Sequence, residues 1–408
     1  MPVKANLLSI PTLVESPFII VTIAGHTFGS YSVTGGAGNA RVQYPDYMKS
    51  LSATKVNGAV NTYTIRLSYQ VGYGEDPNLI DKILSKASKT RTISIQYGDW
   101  NAPSYIYKED VAIITKVTTS LNMQQSSIEY TIECTGDAVA AAALSYDFPA
   151  RVAKPSDVLK SMLLSSKYGL QSVFKGMRNS NKVLSEGLIA SSDKPVQLEA
   201  KLSTTPIAYM NYLVQCMTPA DTEKKSSYML SIHEDYDDHF GGTYMRVTEV
   251  TTPAPSYISV DTYQVDINYP EDNLVSQFSL NDDQSWAILY DFADQVKQEE
   301  WVYKIDDEGN LVTEYAPTQH RKKRKKSESQ SKTNWWLKMT QFPVSATLVI
   351  KGLTRPTLLM SYVKLNVWFH GASKHISSGL YIITKQVDSV DSTGYKTTLS
   401  LLRVGGDV

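Results

Sequence analysis

Strict alternation of apolar and polar residues is the dominant pattern along this chain, and it is clearest in the last thirty residues. From Tyr395 to Leu401, apolar or aromatic side chains alternate with Lys, Thr and Ser, which indicates a half-buried strand. An apolar strand from Leu380 to Val387 precedes it, and Asp391 to Gly394 supplies the small polar residues of a tight turn. The pattern predicts that the chain ends in a long β-hairpin.

The same hairpin pattern occurs earlier in the chain. The tetrapeptide Ile-Ile-Thr-Lys stands at 113–116 and again at 382–385, and each copy is followed by an alternating strand that ends at Gly-Asp. This recurrence favours two related β-modules in one chain. The alternative is that unrelated β-hairpins resemble one another and that four shared residues recur by chance.

Residues 1–147 predict a mostly β module. An apolar strand covers 18–24, Asn57-Gly58 favours a tight antiparallel turn, and 63–69 alternates strictly. Asp76 and Pro77 suit the start of a helix whose apolar stripe runs from Leu79 to Ala87, and a turn is predicted at 98–101. Many antiparallel strands and one helix favour a closed barrel with the helix plugging or flanking an opening.

Residues 148–258 predict a small α+β domain, and residues 259–408 return to β. Two helices open at Pro155 and at Thr205-Pro206, and short strands follow at 228–232 and 243–247. Further on, hairpins are predicted around 281–283 and 306–310, and a basic, polar loop covers 320–333. The predicted fold class is mainly β with an α+β insertion: two tube-like β-barrel modules flank a smaller α+β domain.

Composition narrows the functional classes. With 40 basic and 41 acidic residues, the chain does not have the charge of a general nucleic-acid binder. No apolar run reaches the ~18 residues of a membrane span, so no membrane insertion is expected. The start of the sequence lacks the features of a signal peptide, which favours folding in a cytoplasm. Cys134 on a strand and Cys216 on a helix are predicted to be buried free thiols.

The segment from His233 to His239 contains residue types that bind metal ions. Two histidines flank a run of carboxylates and one tyrosine, which could suit calcium or a transition metal. The spacing matches neither an EF-hand loop nor the histidine pair of a zinc protease. The pattern therefore favours a solvated acidic turn between two strands, and no metal site is predicted.

A second charged segment carries six consecutive cations. They are Arg321, Lys322, Lys323, Arg324, Lys325 and Lys326. The run could contact phosphate groups or an acidic partner. The alternative is a solvated loop, since like charges repel and no apolar residue follows closely. Interleaved aromatic residues that would stack on bases are missing. We expect the run to project toward a partner or a lumen, or to be poorly ordered.

Catalysis has no support in the sequence. The chain contains no glycine-rich phosphate loop, no nucleophile elbow and no cysteine with a nearby histidine motif. Paired carboxylates for glycoside hydrolysis cannot be identified from sequence, because Asp and Glu are plentiful in any chain. We therefore expect no enzymatic activity and no cofactor.

The order of these modules resembles the baseplate hub proteins of contractile phage tails. This group includes the late control protein D family and the hub part of the secretion-system spike protein VgrG. The resemblance is carried mainly by residues 346–403, where a Gly-x-Tyr-x-Ile strand at 379–383 precedes a Gly-Tyr-x-Thr strand at 394–397. The helices at 155–170 and 205–217 resemble those of the middle domain of the hubs. The basic run at 321–326 departs from the family pattern, and no lysozyme or needle domain is attached.

The resemblance implies a structural role in a virion tail. A homotrimer would place six β-barrels in a ring that adapts the six-fold tail tube protein to a three-fold central spike protein. The ring would conduct DNA, without sequence recognition, and tape-measure protein, and it would be assembled in the host cytoplasm. Alternatives are a distal tail protein, the hub of a phage-derived injection particle, and a cell-wall-degrading or carbohydrate-binding tail component.

Overall fold

The computed structural model describes most of the chain, with gaps between its parts. The described ranges are 17–29, 47–70, 72, 76–90, 92–99, 110–177, 187–191, 194–217, 227–234, 241–251, 260–266, 275–282, 299–305, 311–317, 344–351, 359–368, 374–375 and 377–405. The predicted boundary between 258 and 259 lies outside these residues, and the division into domains stays a prediction. Residues 140–147, which precede the other predicted boundary, are described below with the middle domain because Ala141 and Phe148 are buried in its core.

The first β-module contains antiparallel strands and one amphipathic helix. Its elements are β1 (Pro17–Ile23), β2 (His26–Gly29), β3 (Met48–Val56), β4 (Thr62–Gln70), α1 (Leu79–Thr90), β5 (Thr92–Asp99), β6 (Asp110–Asn122) and β7 (Ser127–Gly136). The predicted start of α1 is confirmed, because Asp76 Oδ1 accepts a hydrogen bond from the Asn78 amide at 2.9 Å. The predicted turn at 98–101 is wrong in part, since Gly98 and Asp99 continue β5 and pair with β1.

The middle domain combines short helices with two-stranded sheets. Its elements are α2 (Ala140–Ala143), β8 (Tyr146–Phe148), β9 (Arg151–Ala153), α3 (Pro155–Leu164), α4 (Leu170–Val173), β10 (Val196–Leu198), β11 (Lys201–Thr204), α5 (Pro206–Gln215), β12 (Ser227–His233) and β13 (Tyr244–Val250). Both predicted proline starts are confirmed, and Thr205 Oγ1 accepts from the Ala208 amide at the start of α5. Buried residues of α3, α5, β12 and β13 share one core.

The second β-module returns to long strands. They are β14 (Val260–Asp266), β15 (Val275–Asp282), β16 (Glu299–Ile305), β17 (Leu311–Pro317), β18 (Val344–Lys351), β19 (Tyr362–Trp368), β20 (Gly379–Asp391) and β21 (Gly394–Gly405). The predicted hairpin around 306–310 is confirmed by the β16–β17 ladder. The hairpin predicted around 281–283 is wrong in part, because Asn281 and Asp282 continue β15 and pair with β18. Asp283 and the strand predicted at 285–290 lie outside the described residues.

One sheet runs through both β-modules. Its strand order is β15-β18-β21-β20-β3-β4-β7-β6-β5-β1-β2, with β19 paired to β20 and β14 paired to β19. The two modules therefore meet at a ladder between β20 and β3. The predicted fold class, mainly β with an α+β insertion, is confirmed, and the continuity of the sheet adds a joint that the sequence did not predict.

Candidate functional site

The closing hairpin, β20 with β21, contributes side chains to the cores of both β-modules. Its first part belongs to the second module, where Tyr381, Ile383 and Leu399 are buried with residues of β18 and β19. Its tip reaches the first module, where Val390 and Tyr395 are buried among residues of β4, β5 and β7. The hairpin predicted from the alternation is thus confirmed, and it is shared between the two modules.

A regular antiparallel ladder carries the tip of the hairpin onto the first module. Residues 385–390 of β20 pair with residues 51–56 of β3, so that Gln386 lies opposite Lys55 and Asp388 lies opposite Ala53. Lys55, Gln386 and Asp388 are all buried. The joint between the modules therefore contains ionisable side chains as well as apolar ones.

Asp388 is the centre of a hydrogen-bond network at this joint. Four side chains donate to its carboxylate: Gln386 Nε2 at 2.8 Å, Tyr97 OH at 3.0 Å, Thr397 Oγ1 at 2.6 Å and Tyr395 OH at 3.3 Å. Because Tyr97 belongs to β5 of the first module, the carboxylate connects the two modules directly. A buried carboxylate needs such donors to offset the water it has lost.

Burial and charge set the protonation of this network. Burial raises the pKa of Asp388 above its usual value, while the charge of Lys55 and the donated hydrogen bonds act in the opposite direction. Burial, followed by the negative charge of Asp388, raises the pKa of Tyr97 and Tyr395 well above the ordinary tyrosine value. Both tyrosines therefore stay protonated and remain donors at neutral pH.

The β6–β7 hairpin of the first module is equivalent to the closing β20–β21 hairpin of the second. The β6–β7 ladder shifts register between Ile114 and Lys116, and the β20–β21 ladder shifts between Ile383 and Lys385. At both shifts a threonine hydroxyl donates across the ladder, from Thr115 to the Glu133 carbonyl and from Thr384 to the Ser400 carbonyl. Matching bulges with the same side-chain contact support the predicted duplication, because a bulge is a specific local feature.

A second buried carboxylate joins the middle domain to the first β-module. Glu234 follows β12, and its two oxygens accept hydrogen bonds from the backbone amides of Asn61 at 2.6 Å and Ala138 at 2.7 Å. A Cβ at Gly136 would collide with this carboxylate, so glycine is required for the close approach. Nearby, Asn211 of α5 donates to the Gly58 carbonyl at 2.8 Å. These contacts fix the middle domain against the β4 and β7 ends of the first module.

We expect Glu234→Ala to lower the free energy of unfolding by about 2–3 kcal/mol, because two buried amides lose their acceptor. Urea unfolding measures the loss, and hydrogen exchange at the amides of Asn61 and Ala138 locates it. The matched control is Asp137→Ala in the adjacent turn. Asp137 makes a partly exposed ion pair with Lys175 at 3.2 Å, which is worth about 0–1 kcal/mol. Equal effects of the two variants would contradict the role given to Glu234.

The structure covers only part of the two charged segments singled out by sequence. His233 is buried, stacks on Tyr244 with ring centroids 4.6 Å apart, and hydrogen-bonds Ser231 through Nε2 at 2.8 Å. Residues 235–239 and the basic run 321–326 lie outside the described residues, so a contact of that run with a partner or lumen stays a prediction. The interpretation of this segment as a solvated turn is wrong for His233 and Glu234, both of which are buried.

The prediction for the two cysteines is confirmed. Cys134 and Cys216 are buried and free, and burial raises the pKa of their thiols to about 12 and about 11. In the described ranges, no three His, Cys, Asp or Glu side chains are grouped so that they could hold a metal ion. None of the helices in these ranges has the length and apolar character needed to cross a membrane.

The sequence did not predict the polar joint around Asp388. The signal was present, because Gln386 and Asp388 occupy the same face of β20 as the apolar Val390, and period-two alternation places all three inward. Polar residues at inward positions of a strand indicate either a partner network or a contact with another module.

The fold is similar to that of two tail proteins of known structure. The chain is similar to the 43 kDa tail protein of prophage MuSo2 from Shewanella oneidensis, with a TM-score of 0.51, 10% identity, and coverage of 95% of this chain and 97% of that one. It is also similar to a tail protein from Neisseria meningitidis MC58, with a TM-score of 0.50, 8% identity and coverage of 95% and 97%. At these identities the likeness concerns the fold alone. The sequence matches no protein-family model and no curated protein.

Proposed function

We propose that this chain is a structural hub of a phage-tail baseplate and that it works as a homotrimer. One observation carries the proposal: a chain with the fold of phage tail proteins presents the same β-module twice along one continuous sheet. Three such chains contain six β-modules. A closed ring of them has three-fold symmetry in its chains and approximate six-fold symmetry in its modules.

This arrangement suits an adaptor between parts of different symmetry. One face of the ring would bind the six-fold tail tube protein, and the other would bind a three-fold central spike protein. The lumen would conduct DNA and the tape-measure protein. The near balance of 40 basic and 41 acidic residues agrees with passage of DNA without strong or sequence-specific binding. The hub would be located in the virion tail, would be assembled in the host cytoplasm, and would not be an enzyme.

The proposal predicts a trimeric ring. Light scattering of the purified chain, or of the chain coexpressed with its tail partners, is expected to give the mass of three chains. Electron microscopy is expected to show a central hole surrounded by six similar densities. A ring of six chains would favour a distal tail protein instead. A monomer that degrades peptidoglycan would refute the hub proposal in favour of a cell-wall hydrolase.

A further inference from the structure

Five consecutive strands of one β-module correspond to five of the other. The order β3-β4-β7-β6-β5 in the first module matches β15-β18-β21-β20-β19 in the second. The irregularities match too, since the β3–β4 ladder shifts between Met48 and Ser50 and the β15–β18 ladder shifts between Val275 and Gln277. Within these five strands, each paired position in one module therefore has a defined equivalent in the other.

The ladders assign these equivalents residue by residue. Leu51 of β3 pairs with Ile65, and its equivalent Phe278 of β15 pairs with Leu348. Extending this equivalence along both strands matches residues 51–55 of β3 with residues 278–282 of β15. That edge of β3 is the one to which β20 is bound within the chain.

The equivalent part of β6 has an edge that no strand of the described ranges pairs with. Residues 110–113 pair with β5, as residues 379–382 of β20 pair with β19. Beyond the bulge, residues 385–390 of β20 pair with β3, but residues 116–121 of β6 pair with β7 alone within the described part of the chain.

Two apolar side chains on this half of β6, those of Val117 and Leu121, are exposed among polar neighbours. Val117 is 39% exposed and Leu121 is 66% exposed, whereas their equivalents Gln386 and Val390 are buried at the joint with β3. An unpaired edge with exposed apolar side chains is a site for pairing with another strand.

The matching free edge is β15. It ends the sheet and pairs with β18 alone among the described residues. Leu280 on this strand is 39% exposed, and Phe278 is only partly buried against the core of the second module. Among its described residues, one chain thus carries an unpaired hairpin edge on its first module and an unpaired receiving edge on its second.

We propose that β6 of one copy pairs antiparallel with β15 of a second copy, in the register that places Leu121 opposite Phe278 and Thr119 opposite Leu280. The proposal deepens the proposed function and rests on its premise that the chain assembles with itself. The contact repeats between chains the joint that β20 and β3 make within a chain. The β6–β15 contact joins different surfaces of the two copies, so it is a head-to-tail contact. Such contacts close into a ring when the rotation from one chain to the next is a whole-number fraction of a full turn.

Engineered cysteines test this register. Ser120 and Ser279 are exposed, and the proposed register places them opposite each other. Opposed residues of an antiparallel pair have Cα atoms about 4.5–5.5 Å apart, which suits a disulfide. Chains with Ser120→Cys are coexpressed with chains that carry Ser279→Cys, so that any disulfide between the two variants joins two molecules. The native thiols are buried with raised pKa values, which keeps their background reaction low.

The control shifts one cysteine by two positions. Ser120→Cys with Asn281→Cys keeps both residues on the same face but makes them diagonal neighbours roughly 7–8 Å apart, a separation that does not suit a disulfide. On oxidation we expect the Ser279 pair to give roughly tenfold more cross-linked product than the Asn281 pair. Leu121→Asp is expected to abolish the product and the assembly, whereas Met123→Asp, in the hairpin turn and 83% exposed, is expected to leave both unchanged.

The outcomes separate this pairing from the hub function. A trimeric ring without preferential cross-linking at 120 and 279 would overturn the pairing and leave the hub proposal standing. Preferential cross-linking in open, linear assemblies of variable mass would support the pairing and refute the closed trimer. A monomer without cross-linking, even at the highest attainable concentration and with tail partners present, would overturn both.

Discussion

Removal of residues 379–408 is expected to abolish soluble folding of the whole chain rather than of the second β-module alone. The deletion removes buried residues from both cores. In the second module these are Tyr381, Ile383, Leu399 and Leu401, and in the first they are Val390 and Tyr395. Each fully buried apolar side chain contributes about 1.5–3 kcal/mol, so the loss of six approaches or exceeds the stability of a typical domain. Soluble yield and circular dichroism of the truncated chain measure the effect.

A point substitution at the tip of the β20–β21 hairpin tests whether this hairpin also stabilises the core of the first module. Val390→Asp places a charge in the core of the first module and is expected to cost about 3 kcal/mol or more. Its matched control is Leu121→Asp, at the equivalent position of the β6–β7 hairpin, where the side chain is exposed. The control is expected to change the free energy of unfolding of the isolated chain by less than about 0.5 kcal/mol.

Hydrogen exchange distinguishes a shared hairpin from a peripheral one. Val390→Asp is expected to accelerate exchange in β4 and β7 of the first module, although the substitution lies in a strand of the second. Unchanged exchange in β4 and β7 would show that the hairpin tip contacts the first module without stabilising it. Recovery of a folded trimer from the 379–408 truncation would show that the entire hairpin is dispensable.

Local patterns predicted the strands and helices because those elements are determined by nearby residues. The alternation at 395–401, the Asn57-Gly58 turn and the Asp76 cap each lead to the structure observed. Two predicted turns were wrong in part, since Gly98, Asp99, Asn281 and Asp282 belong to strands that pair with distant segments. Turn propensity is weaker than the pairing that a neighbouring strand provides.

Local patterns could mark inward polar residues at the joints but could not identify their partners, because those partners are far apart in sequence. Asp388 accepts from Tyr97, which lies 291 positions earlier, and Glu234 accepts from Asn61, which lies 173 positions earlier. The residue types around His233 suggested metal chemistry or a solvated turn. In the structure, the Glu234 carboxylate instead serves as an acceptor for two backbone amides.

Replacement of Asp388 by alanine is the second change expected to have a large effect. The substitution removes the acceptor of four buried donors and leaves Lys55 buried without the negative charge beside it. Removing one partner of a buried charged pair costs about 3–5 kcal/mol. We expect a loss of this size in urea unfolding. Asp388→Asn is expected to cost less, because its carbonyl oxygen still accepts hydrogen bonds.

A double variant separates the charge of Lys55 from the rest of the network. If the uncompensated charge causes most of the loss, Asp388→Ala combined with Lys55→Met should be less destabilised than the sum of the two single variants, because an apolar pair replaces a buried ionic one. The expected coupling is about 1–3 kcal/mol. Additive losses would assign the effect to the donors Tyr97, Tyr395, Thr397 and Gln386 instead. In that case the joint between the two β-modules would depend on hydrogen bonds to Asp388, with Lys55 a neighbour that contributes no stabilising charge.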